Sequence, residues 1–243
     1  MRCVVGFGRG PQGLPGPAEV AETVHDRPIS SIYKALADVT LYCLCQEMPS
    51  SMNSLPPVRR IVTGHNSVGR SVFSHQGSPP TVVSLQALPG VSFHEIWSTS
   101  GFPPIIDVGT DPTLAPFQFM PGPGNTLIRV LDIPPDPTQH ADETSAAAFA
   151  EIGGSQARTT DVDSRHAFMH RTQTIDYGVC IEGEVWLVLE EGETRLSPGD
   201  VVIQRGTNHA WSNRTQQMAR MLFVLLDGQF SKDLAQLLPN SHS

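Results

Sequence analysis

Apolar and polar residues change places in short runs along most of this chain, and the short period predicts strands rather than helices. From residue 59 the segments Arg59–Thr63, Ser71–Phe73, Ser92–Thr99 and Thr126–Ile133 are rich in β-branched and aromatic residues and bounded by Gly, Pro or Asn. A denser series follows: Gln173–Ile181, Glu184–Glu190, Glu193–Leu196, Asp200–Gln204, His209–Asn213 and Met218–Leu226. The dipeptides Glu182-Gly183, Glu191-Gly192 and Pro198-Gly199 supply turns between them. Loops are expected over 101–125 and 134–166, the second with one helical turn across Thr144–Ile152. A short helix is expected over Ser231–Leu238. Evenly spaced short strands point to an all-β sandwich or small barrel, not to βαβ units.

Composition agrees with that reading. Of 243 residues, 21 are Gly and 21 are Pro, and both interrupt helices. They also mark residues 1–58 as different from the rest. The stretch GFGRGPQGLPGP at 6–17 superficially suggests a dinucleotide loop, but Pro11, Pro15 and Pro17 forbid the helix that such a loop needs. Ile29, Ile32, Tyr33 and Leu36 fit a short amphipathic helix over 29–46. The division expected is a poorly ordered or partly helical extension over 1–58, a barrel over 59–230 and a helical tail over 231–243. Met48 and Met52 mark where an alternative start would fall, just ahead of the first strand.

Charge and cysteine usage narrow the function classes. The net charge of −8 argues against nucleic acid or an anionic membrane as partner. The chain has no apolar run long enough to span a bilayer. Cys3, Cys43, Cys45 and Cys180 are too few and too uneven for a disulfide framework, and Cys43 and Cys45 lack a second pair to complete a zinc site. With no secretory signal, a cytoplasmic location is expected, and the Asn213-Arg214-Thr215 sequon is expected to be silent.

The chemistry concentrates in 165–228. One stretch reads HRTQTIDYGVCIEGE from His170 to Glu184, and another reads PGDVVIQRGTNHAWSN from Pro198 to Asn213. On an extended strand, side chains alternate faces, so His170, Thr172, Thr174 and Asp176 share one face. His209, Trp211 and Asn213 share another. If both faces point inward, two imidazoles and a carboxylate converge. That set matches the two-His, one-carboxylate arrangement favoured by non-haem Fe(II).

These two stretches resemble the paired motifs of the cupin superfamily, and more closely those of short fungal and bacterial cupins reading His-Arg-Thr-x-Thr-x-Asp-Tyr and Gln-Arg-Gly-Thr-x-His-x-Trp. The resemblance implies an all-β, single-domain cupin jelly-roll β-barrel with extra N-terminal strands and a short C-terminal helix. It implies a divalent metal held by His170, Asp176 and His209, with Asp176 and His209 also catalytic. Iron(II) is favoured; zinc, manganese and nickel remain open, as does a site without metal. Two positions depart from the usual pattern: Thr172 stands where the second His is expected, and Asp176 where a Glu is expected.

Some fungal members of this group lie in secondary-metabolite clusters and are described as cupin-domain oxidoreductases. The activity implied is oxidation of a small aromatic or polyketide-type intermediate. A redox-neutral decarboxylase, dehydratase or isomerase is the alternative enzyme, and a metal-free binding or accessory protein the alternative class. Thr172, Thr174, Tyr177, Trp211 and Arg205 are expected to line the pocket. His65, His75 and His94 read as surface or hydrogen-bonding residues, with His94-Glu95 a subsidiary source of a ligand. Exposed strand edges predict a homodimer.

Overall fold

The computed structural model describes residues 54–139, 141–160 and 164–238. The expected N-terminal helix over 29–46 lies outside these residues.

A hairpin of β1 (Arg60–His65) and β2 (Ser71–Gly77) precedes the main body. The body is two sheets. The larger has six strands in the order β3 (Val82–Ser84), β4 (Ser92–Thr99), β5 (Thr126–Ile133), β11 (Ala219–Asp227), β6 (Thr174–Glu182) and β9 (Val201–Arg205). The smaller has β10 (His209–Ser212), β7 (Val185–Leu189) and β8 (Gly192–Leu196). Bridges from Arg158 to His170 and from His170 to His209 extend it beyond β10. Every paired strand is antiparallel. This is the expected all-β jelly roll, with β1–β5 as its additional N-terminal strands.

Alternation decides which side chains enter the space between the sheets. Thr174, Asp176, Gly178 and Cys180 of β6 face inward, while Ile175 and Tyr177 face out. The core is built from Leu127, Cys180, Val185, Leu187, Met221, Phe223 and Leu225, contributed by both sheets. The turn from β6 to β7 depends on Gly183, whose φ is +77°. A Cβ there would stand 2.8 Å from Ala219 Cα and Met218 O, so only glycine fits.

Two elements exceed the sequence expectation. Helix α1 (Ala141–Glu151) runs three turns instead of one. Asp142 and Glu143 complement its N-terminal dipole, and Ala148, Phe149 and the following Ile152 pack on Leu85, Val91 and Phe93. Strand β3 is three residues long and pairs only with β4. The C-terminal helix α2 (Lys232–Leu237) is capped by Ser231, whose hydroxyl accepts from the Leu234 amide. No helix among the described residues is long and apolar enough to cross a membrane. Asn213 is fully buried, and its amide donates to the carbonyls of Ile133 and Gln217. The sequon nitrogen is therefore committed to the fold.

Candidate functional site

His170 and His209 are brought together by the backbone. The His170 amide donates to the His209 carbonyl at 2.8 Å, and the His209 amide returns the bond at 2.9 Å. This reciprocal pair places the two ring centroids 4.2 Å apart. In each residue Nδ1 lies 3.0 Å from a carbonyl two residues earlier, Phe168 for His170 and Thr207 for His209. A carbonyl only accepts, so each Nδ1 carries the proton and each Nε2 is left with its lone pair. Burial lowers the pKa of both rings, and His209 falls well below its ordinary value, chiefly through burial and further because His170 beside it would repel a second positive charge. Both imidazoles are neutral acceptors at physiological pH.

The pair lies at the polar end of a cavity of about 150 Å³. Phe119, Phe149, Phe168 and Phe223 form much of its wall, with Leu85 and Val91 beneath α1. Trp211 packs against His209 at 5.3 Å and Phe223 at 5.1 Å between ring centroids. At the rim, the loop Pro134–Pro137 is pinned through Asp136, which accepts from His166 Nε2, the Ser212 hydroxyl and the Asn213 amide.

Asp176 enters the same cavity from the opposite, six-stranded sheet. It is 6% exposed, and its Oδ1 has no hydrogen-bond partner. Desolvation pushes its pKa up to about 6, against the opposing pull of the Thr174 hydroxyl and the Arg129 guanidinium. Thr172 also lines the cavity, and its hydroxyl lies 2.8 Å from that of Thr174.

The expected three-ligand centre is not assembled. Among the described residues no three His, Cys, Asp or Glu side chains group closely enough to hold a metal ion. Thr172 supplies a hydroxyl where the motif's second imidazole would stand, and Asp176 is carried on the other sheet. The structure thus joins His170 with His209 and leaves Asp176 as a separate carboxyl across the cavity. His170, His209 and Asp176 nevertheless all line the one cavity.

Two other expectations are corrected. Tyr177 is 42% exposed, and Arg205 is also exposed; both occupy outward positions on β6 and β9 and are not part of this cavity's lining. Thr174 is buried behind the lining and touches the site through Thr172. Thr172 and Trp211 do line it. His65 is exposed, and His75 lies 3.0 Å from the Ser78 carbonyl. His94 pairs with Asp132 at 3.0 Å on the face of the sheet away from the cavity, where Asp132 also receives Arg220.

Glu95, on the opposite face from His94, forms the feature that strand patterns alone conceal. Its carboxylate pairs with Arg129 at 3.2 Å, and both groups are buried. Arg129 also donates to the carbonyls of Gln118 and Phe119 and lies over the rings of Phe93 and Phe117. It lines the cavity beside Asp176. The signal for it was parity: Leu127, Arg129, Leu131 and Ile133 share the core face of β5, so this Arg had to be buried and paired.

The cupin-domain family model matches residues 160–225. The chain is 33% identical over 180 residues to phomopsin biosynthesis cluster protein D of Diaporthe leptostromiformis, covering 70% of this chain and 78% of that protein. It is 34% identical over 180 residues to the cupin-domain-containing oxidoreductase fogC of Aspergillus ruber, covering 71% and 74% respectively. A cupin-2 domain protein from Rhodospirillum rubrum matches with a TM-score of 0.35 at 11% identity, over 65% of this chain and 80% of that one.

Proposed function

The chain belongs to the cupin family, and from that premise we propose that it is a secondary-metabolite biosynthetic enzyme of the cupin-domain oxidoreductase type. Its substrate would be a small, mostly apolar aromatic or polyketide-type intermediate. The observation that carries the reading is the cavity itself: an apolar enclosure lined by two neutral imidazoles and, on the facing sheet, a carboxyl with one oxygen unpartnered. The similarity to proteins named for biosynthesis clusters supports the same reading.

The side chains handle protons and orientation. The Nε2 atoms of His170 and His209 accept hydrogen bonds from a substrate hydroxyl or enol, and they orient it because each Nδ1 is fixed by a carbonyl. Asp176, across the cavity, takes or returns a proton; a carboxyl with a pKa of about 6 is suited to both near neutral pH. The aromatic wall excludes water, which strengthens each of these interactions. No step is assigned to a metal.

A redox-neutral reaction, isomerisation or dehydration through an enol, is favoured by one specific observation. Asp176 is carried on the sheet facing the one that carries the histidine pair, as separate acid and base groups on two sides of a substrate would be. The test is to incubate purified enzyme with candidate aromatic intermediates while recording oxygen uptake and product mass, alongside metal analysis. Oxygen uptake that depends on substrate supports the oxidoreductase. Product of unchanged mass, or reduced by one water, supports the redox-neutral reading. Turnover that His209→Ala leaves intact would remove this site from the reaction.

A further inference from the structure

Arg129 is the only Lys or Arg among the described residues that line the cavity, and it is 2% exposed. A guanidinium carries five N–H donors. Three hydrogen bonds use them among the described residues. Nη1 donates to the Phe119 carbonyl at 3.1 Å, and Nη2 donates to the Gln118 carbonyl at 2.7 Å and to Glu95 Oε2 at 3.2 Å. One N–H on Nε and one on Nη1 are left over. Nε lies 3.2 Å from Glu95 Oε1 but out of line for a hydrogen bond, and both atoms are buried without one. A buried donor without an acceptor is costly, and it calls for an oxygen that the folded chain does not supply.

The guanidinium is also held in place for such a role. The rings of Phe117 and Phe93 lie 4.8 and 5.7 Å from it, and the two carbonyls fix its plane. Glu95 contributes nothing to this wall; it lines a second cavity, with Trp97 and Gln118. A substrate in the first cavity therefore meets the guanidinium, with the carboxylate behind it. The two groups form a neutral pair whose positive end faces the ligand. Such a dipole attracts a carbonyl oxygen, but it offers a carboxylate too little to offset the loss of its hydration. Asp176, on the same sheet, adds no positive charge to the wall. Size sets a further limit, because about 150 Å³ has room for a single aromatic ring.

We propose that the Glu95–Arg129 pair determines the specificity of this cavity: Arg129 donates to the neutral carbonyl oxygen of a one-ring aryl ketone or aldehyde, and Glu95 behind it excludes carboxylates. The proposal rests on the reading of the cavity as the substrate site, and it names the group that the substrate presents to the large sheet. A site built around a hydrogen bond rejects the analogue that lacks the bonding atom, because its own buried donor is then left unpaired.

Calorimetric titration of the full chain near neutral pH with 4-hydroxyacetophenone, 4-ethylphenol and 4-hydroxybenzoate provides the test. These phenols are similar in size and differ in the group opposite the hydroxyl, which is a ketone, an ethyl group or a carboxylate. The wild type is expected to bind the ketone at least about tenfold more tightly than 4-ethylphenol, the factor that a hydrogen bond from a charged donor supplies. It is expected to bind the carboxylate more weakly than the ketone. Glu95→Gln leaves Arg129 uncompensated and is expected to reverse that order, although Glu95 touches neither ligand. Arg129→Met/Glu95→Gln removes the donor with its counter-charge and is expected to bind the ketone and 4-ethylphenol alike. Equal affinity of the wild type for those two ligands, or unchanged rejection of the carboxylate by Glu95→Gln, would overturn the proposal and leave the cavity as an aromatic site. Failure of the wild type to bind any of the three would remove the cavity as an aromatic site, and the proposal with it. The wild-type comparison decides the matter even where a variant fails to fold.

Discussion

Asp176 is buried among apolar side chains with one carboxyl oxygen unpartnered, an arrangement that opposes stability. Its folded pKa of about 6 exceeds the ordinary 3.8, so the folded state binds its proton more tightly than the unfolded chain. Its favourable contribution is complete below 3.8 and is lost as pH rises through about 6. The difference corresponds to roughly 3 kcal/mol. Asp176→Asn removes the ionisation while keeping the shape. The variant is expected to match the wild type in acid, to melt higher than it above pH 6 and to lose turnover. Thermal melts of both proteins across that pH range check this, and equal pH dependence would contradict the assignment.

At the scale of elements, β4 and β5 are joined by the buried cross-strand Glu95–Arg129 pair. Removing one partner leaves an uncompensated buried charge, so Arg129→Met is expected to cost about 3–5 kcal/mol. Adding Glu95→Gln should recover a large part of that loss. Denaturant midpoints of both single variants and the double variant measure the coupling, and simple additivity would contradict a mutual pair. The pair also shows what strand patterns convey. Turn glycines such as Gly183 and the motif histidines His170 and His209 were legible because tight turns and short spacings are local. The inward face of β6 was legible from alternation, and the same alternation sends Tyr177 outward. Arg205 misled because neighbours in a motif alternate between interior and surface. Helix α1 was under-read because its stability comes from docking Phe149 and Ile152 on distant β-strand residues, not from its own periodicity. That Asp176 faces the histidines from the other sheet follows from how the two sheets pack, which one-dimensional spacing does not hold.

Across the whole molecule, one jelly roll keeps its chemistry inside and its unsatisfied apolar surface outside. Gly and Pro punctuate the strands and fill the segment 101–125. The net charge of −8 sets the chain against acidic partners. The central claim is that the cavity ending in His170, His209 and Asp176 is the seat of a biosynthetic reaction. The most direct measurement is untargeted metabolite profiling of a strain of the native host in which this gene is deleted, complemented with either the wild type or His209→Ala at matched protein levels. The account predicts that wild type restores the lost product and that His209→Ala leaves the deletion profile unchanged, with the same precursor accumulating. Full restoration by His209→Ala would contradict it.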